Sequence, residues 1–163
     1  MILYFSATGN SEHVARRVAA ATGDKVMSIE RFDAESLRLA LAGGPCQLGF
    51  VAPVYAWGLP TPMIEFLKTA DLSIAAGAKD GGRPYTFYVS TYGSTTGQSA
   101  KFARDLLRER GLELDAAMSV KMPDTWTPFS TCQILKRSRA STRLPRRRLM
   151  PWSKRYGRGV RAT

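Results

Sequence analysis

Residues 4–15 read YFSATGNSEHVA. The stretch closes the first apolar run of the chain, Ile2-Leu3-Tyr4-Phe5, and opens onto a helical pattern. In that pattern Val14, Ala15, Val18 and Ala19 share one face, while Arg16 and Arg17 lie off it. Between strand and helix, Ser6-Ala7-Thr8-Gly9-Asn10 carries hydroxyls, one glycine and an amide, but no lysine. Such a loop is either a capped turn or an anion site. A helix N-terminus presents unpaired N–H groups and the positive end of a dipole, and both attract phosphate. Ser6, Thr8, Asn10 and Ser11 add short-range donors, and Gly9 lets the backbone curl close to a ligand. The missing lysine excludes a nucleoside-triphosphate P-loop, and the absent G-x-G-x-x-G weakens a dinucleotide reading. No Cys-x5-Arg is present, so a phosphatase loop is excluded as well.

Outward from this loop, strands and helices alternate. Gly23-Asp24 ends the first helix, and Lys25–Ile29 reads as a second strand. Asp33 is placed to cap a helix running to about Leu41, where Gly43-Gly44-Pro45 stops it. Gln47–Ala52 is a third apolar strand, and Pro62 opens a helix with Met63, Phe66 and Leu67 inward. Residues 71–83 form a connection rich in glycine and alanine, and Tyr85–Ser90 is a fourth strand. From Thr96 to Arg110 an amphipathic pattern with Phe102, Ala103, Leu106 and Leu107 inward ends at Gly111. Leu112–Lys121 is a fifth strand. This order predicts an α/β fold, a three-layer, doubly wound, five-stranded parallel sheet with helices on both faces. Such sheets bind ligands at the carboxyl ends of their strands, near the reversal of strand order. The loops after strands one, three and four are therefore the informative ones.

The third strand ends in PVYAWGLPTP, residues 53–62, which sets Trp57 at a loop tip fenced by prolines. Exposing so much apolar surface is unfavourable unless something covers it. The fourth strand ends in Thr91-Tyr92-Gly93-Ser94, a second aromatic-glycine tip at the same sheet edge. Two aromatics beside a phosphate site suit a flat ring that ends in a phosphate.

Four stretches, YFSATGNSEHVA, PVYAWGLPTP, STYGSTTG and VKMPDTW, stand in this order and in these loops. With them, residues 1–128 resemble a flavodoxin-like domain, most closely the flavodoxin part of the EFR1-type flavodoxin/ferredoxin proteins. The resemblance implies a sheet order of 2-1-3-4-5 and the cofactor flavin mononucleotide (FMN). It implies that Ser6, Thr8, Gly9, Asn10 and Ser11 hold the phosphate through uncharged donors. Tyr55, Trp57, Thr91 and Tyr92 would belong to the ring site, with Trp57 and Tyr92 stacked on or shielding the isoalloxazine. Gly58 would be a flexible peptide whose carbonyl turns toward the ring, and Gly93 and Ser94 would lie near its pyrimidine edge. The implied function is electron transfer between redox partner proteins, including ferredoxin-type ones, with no residue acting as acid or base. An FMN-dependent NAD(P)H or quinone oxidoreductase is the alternative within the same fold. The Cys-x2-Cys-x2-Cys run of a ferredoxin part is absent from the chain.

Composition sets the remaining bounds. The chain has 163 residues, 44% hydrophobic and 10% aromatic, enough for one domain with a substantial core. No apolar run approaches the ~18 residues of a membrane span, so no membrane association is expected. The start lacks the features of a secretory leader, and Cys46 and Cys132 have no metal-ligand spacing. Both observations suit a cytoplasmic location. His13 reads as an exposed first-turn residue.

The net charge of +11 is local. Residues 1–130 hold 13 basic and 13 acidic residues, whereas residues 131–163 hold 11 basic residues and no acid. The expected organisation is thus a flavodoxin-like domain over 1–130 and a basic tail over 131–163. That tail has no helical or strand period, so a missing or atypical last helix is expected. Three readings compete for it: a disordered basic extension touching nucleic acid or acidic surfaces, a dock for an acidic redox partner, or the product of a shifted reading frame or truncated gene. The abrupt change of charge favours the third. Nucleic-acid binding, the second alternative function, rests on this tail alone.

Overall fold

A computed structural model of the chain describes residues 1–42, 46–76 and 83–123. Five strands, β1 (Ile2–Tyr4), β2 (Val26–Ser28), β3 (Gln47–Pro53), β4 (Tyr85–Tyr92) and β5 (Ala116–Lys121), form one sheet. All pairings are parallel and the order is β2-β1-β3-β4-β5, as expected. The helices are α1 (Asn10–Thr22), α2 (Ala34–Leu41), α3 (Thr61–Thr69), the short α4 (Ser73–Ala76) and α5 (Ser99–Glu109).

Of the three interior strands, β1 and β3 read as nearly continuous apolar runs because both of their faces are covered. Side chains alternate across the sheet and divide the core in two. Leu3, Leu48, Phe50, Ala52 and Tyr88 pack with Leu37 of α2, Met63, Phe66 and Leu67 of α3, and Ala103 and Leu107 of α5. Ile2, Val51, Phe87 and Val89 pack on the other face with Val14, Ala15 and Ala19 of α1. Each fully buried large side chain contributes roughly 1.5–3 kcal/mol, so these layers fix the sheet and with it the strand ends. Gly49 is needed beneath Phe87, because a Cβ there would stand 2.7 Å from the ring's Cε2.

Several boundaries differ from the sequence expectation. β1 ends at Tyr4, and Ile29 leaves the second strand to begin a 3-10 turn capped by the Ser28 hydroxyl. The 71–83 connection contains α4, whose first N–H at Ser73 donates to Asp71 Oδ1 at 3.1 Å. β4 runs on to Tyr92. α5 begins at Ser99 rather than Thr96, because Gly97 takes a left-handed φ of 51° that no helix admits. β5 begins at Ala116, since Leu112 and Leu114 turn into the core instead of pairing. Phe102 is 43% exposed rather than inward, the innermost positions of α5 being Ala103 and Leu107.

Among the described residues no helix is long and apolar enough to cross a membrane. The expected atypical last helix, the boundary at residue 130, Cys132 and the basic tail lie outside the described residues.

Candidate functional site

Strand order reverses between β1 and β3, and the loops beyond β1, β3 and β4 are tied to one another there. Phe5 N–H donates to Val51 O at 3.0 Å, and Val54 N–H to Thr91 O at 2.9 Å. Met122 N–H, just past β5, donates to Tyr92 O at 2.9 Å.

The loop after β1 leaves a helix end open. Gly9 is the N-cap of α1 with φ 89°, and no side chain caps the helix. Gly9 N–H is taken up by Ser6 Oγ at 3.1 Å, which closes the turn ahead of the first N–H groups of α1. Ala7, Thr8 and Gly9 are exposed among the described residues. Ser11 is buried, and its Oγ lies 2.7 Å from Thr91 Oγ1, linking α1 to the end of β4. The Asn10 amide donates to Pro123 O at 3.1 Å, which draws the segment after β5 toward the same edge. Glu12, the one acid in the first turn, is paired with Arg16 at 2.7 Å. That bond holds its carboxyl below the usual carboxylate range.

The loop after β3 is built oppositely. Tyr55 and Gly58 exchange backbone hydrogen bonds, Tyr55 N–H to Gly58 O at 3.1 Å and Gly58 N–H to Tyr55 O at 2.9 Å. The two residues between them, Ala56 and Trp57, both have positive φ, 45° and 63°. This is the primed two-residue turn that asparagine and glycine usually fill. Tyr55 and Trp57 are exposed, Trp57 at 68%.

These loops enclose an open cleft of about 400 Å³. Small-molecule sites typically run ~300–1,000 Å³. The first loop supplies Ser6, Ala7, Thr8, Asn10 and Ser11 to the lining. The others supply Pro53, Val54, Tyr55, Ala56, Thr91, Tyr92 and Gly93, with Met122 and Pro123 closing one side. None of the described lining residues is charged. An anion there would be held by N–H and hydroxyl donors and by the dipole of α1, while two tyrosines offer flat surface.

The chain matches no family model, and no curated protein matches its sequence. Solved structures do match. The two-electron reduced flavodoxin of Megasphaera elsdenii superposes with a TM-score of 0.55 at 19% identity, over 76% of this chain and 87% of that one. The Trp repressor binding protein of Bacillus subtilis gives 0.56 at 12% identity, over 90% of this chain and 97% of that one. Rubredoxin oxygen:oxidoreductase of Desulfovibrio gigas gives 0.52 at 20% identity, over 77% of this chain but 31% of that one. The fold is flavodoxin-like.

Of the residues singled out in the sequence, the cleft brings together Ser6, Thr8, Asn10, Ser11, Tyr55, Thr91, Tyr92 and Gly93. Gly9 stands at its rim as the cap of α1. Trp57, Gly58 and Ser94 are outside the lining. The Gly58 carbonyl, expected to be free to turn, accepts from Tyr55 N–H, so turning it breaks that bond. Ala7, Pro53, Val54, Ala56, Met122 and Pro123 line the cleft without having been singled out. Four of these are apolar neighbours of quoted motif residues, and Met122 and Pro123 open the MPDTW stretch after β5. Their chemistry carries no signal; only their place at strand ends does.

Proposed function

We propose that this chain binds FMN in the cleft at the switch point and serves as an electron-transfer protein. The observation that carries the reading is the uncapped start of α1, with left-handed Gly9, opening into an uncharged cleft walled by two tyrosines. A dianionic phosphate attached to a neutral ring is the ligand such a site suits. The α1 N–H groups, Ser6 and Thr8 would hold the phosphate, and Ser11 with Thr91 would brace the loop from beneath. Asn10 would act by anchoring the Pro123 segment, because its amide already donates there. Tyr55 and Tyr92 would flank the ring, Gly93 and Ser94 would border it, and exposed Trp57 would be covered by it. FMN supplies reversible electron uptake when bound, and the residues of this chain bind it, orient it and exclude water from one face.

The finer reading is an EFR1-type flavodoxin domain in the cytoplasm, exchanging electrons with redox partner proteins such as ferredoxin-type carriers. Support comes from the motif stretches in their three loops and from the strand-end placement of the cleft. The test is visible absorption of the purified full chain after addition of FMN and removal of free flavin. A retained flavin spectrum with quenched fluorescence is expected. A colourless protein contradicts the reading, and steady NAD(P)H oxidation by the loaded protein would move it to a reductase.

A further inference from the structure

The turn at Ala56 and Trp57 holds two side-chain-bearing residues in the left-handed region. A bulky residue there is strained, by an amount that persists only when surrounding structure imposes it. The Tyr55–Gly58 hydrogen bonds close the turn but do not tie it to the rest of the fold. A further contact does. Trp57 O accepts the Gln98 N–H at 2.7 Å, and Gln98 O in turn accepts the Phe102 N–H at 3.0 Å. The Trp57 carbonyl is therefore bound at the threshold of α5. Gly97, at φ 51°, lies so close to the Trp57 backbone that an added Cβ would stand 2.6 Å from the Trp57 carbonyl carbon. On the far side, a Cβ on buried Gly58 would stand 3.2 Å from the Phe102 ring. The turn is thus held between Gly97-Gln98 and Phe102.

We propose that the backbone of Gly97 and Gln98 is a clamp that presets the strained turn before any ligand arrives. Gly97 is then a positioning residue for the aromatic rim of the cleft, Tyr55 and Trp57, and touches no ligand itself. The clamp fixes the Trp57–Gly58 peptide at both ends, through Trp57 O on Gln98 N–H and Gly58 N–H on Tyr55 O. The clamp stands on geometry alone, while its effect on flavin rests on the FMN reading above.

The test uses the full chain and the variants Gly97→Ala and Gly97→Asn, with FMN and with riboflavin, which shares the ring and lacks the phosphate. In ligand-free protein the Gln98 amide should exchange with solvent at least about tenfold more slowly than the exposed amide of Thr95. Both variants should lose that protection and shift the Trp57 indole resonance. Both should weaken FMN and riboflavin by the same factor, about tenfold. Asparagine tolerates left-handed φ, so a Gly97→Asn protein that behaves as wild type would overturn the claim of close approach. An unprotected Gln98 amide in the wild type would overturn the clamp even if the variants failed to fold. Lost protection with unchanged affinities, or a loss confined to FMN, would overturn the positioning role. A wild type that binds neither flavin would sink the FMN reading, while Gln98 exchange would still decide the clamp.

Discussion

Residues 6–10 leave the start of α1 without a side-chain cap among the described residues, whereas residues 55–58 engage their backbone groups with one another and with Gln98. The first loop carries a single left-handed residue, a glycine, where the geometry is without strain. The second places alanine and tryptophan in that region and needs outside contacts to keep them there. The contrast matches two different tasks. A phosphate is recognised by unsatisfied donors, so that loop must stay unpaired until the ligand comes. A flat ring has few polar groups and is recognised by surfaces at fixed spacing, so that loop must be rigid. Preorganising an apolar wall reduces the ordering needed on binding.

If the two loops divide the work in this way, they separate under mutation. Gly9→Val, which cannot take φ 89° without strain, should weaken FMN roughly hundredfold in fluorescence titrations and leave riboflavin nearly unchanged. Equal losses would break the contrast. Trp57→Ala should weaken both flavins, by about tenfold, since it removes ring surface and not phosphate donors. A loss for FMN alone would place Trp57 in the wrong task.

Changes outside both loops sharpen the contrast by leaving flavin affinity alone. Asp33→Ala removes the carboxylate that accepts Ser36 N–H at the start of α2. It should lower the melting temperature by a few degrees with no change in FMN binding. The smallest effect is expected at Tyr88, whose buried hydroxyl has no hydrogen-bond partner among the described residues. Ser99, its polar neighbour, gives its own hydroxyl to Thr96 O at 3.0 Å. Burial pushes the Tyr88 pKa from 10.0 up to about 12, a rise that Ser99 only partly offsets. The folded state thus favours the neutral phenol. Its contribution is complete below pH about 10 and is lost as pH rises toward about 12. Tyr88→Phe should leave stability at pH 7 unchanged or raised by up to about 1 kcal/mol. In denaturant melts it should also flatten the alkaline decline.

The fold was legible because its signals are local and repeated. Each apolar run ends in a helix start, and Asp33, Pro62, Gly23 and Gly111 mark boundaries that need only nearby residues. The position of the cleft followed from the topology of the sheet, and eight of its lining residues were named from three loops. What was not legible depends on approach between distant segments. Gly97 closes the STYGSTTG stretch, yet its need for φ 51° arises from the Trp57 backbone, forty residues earlier. The Asn10 side-chain amide donates to Pro123 O, a contact across 113 residues that no local pattern signals. Phe102 fits an inward helical face by spacing, but stands exposed against Gly58 at the end of the layer.

The central claim is that a phosphate-bearing flavin occupies this cleft through uncharged donors. Calorimetric titration of the full chain with FMN and with riboflavin, at low and high salt, tests it most directly. The account predicts that FMN binds at least about tenfold tighter than riboflavin. It also predicts that much of this margin survives high salt, since the donors proposed for the phosphate are uncharged N–H and hydroxyl groups rather than mobile surface charges. Equal affinity for the two flavins, or no heat with either, would contradict it.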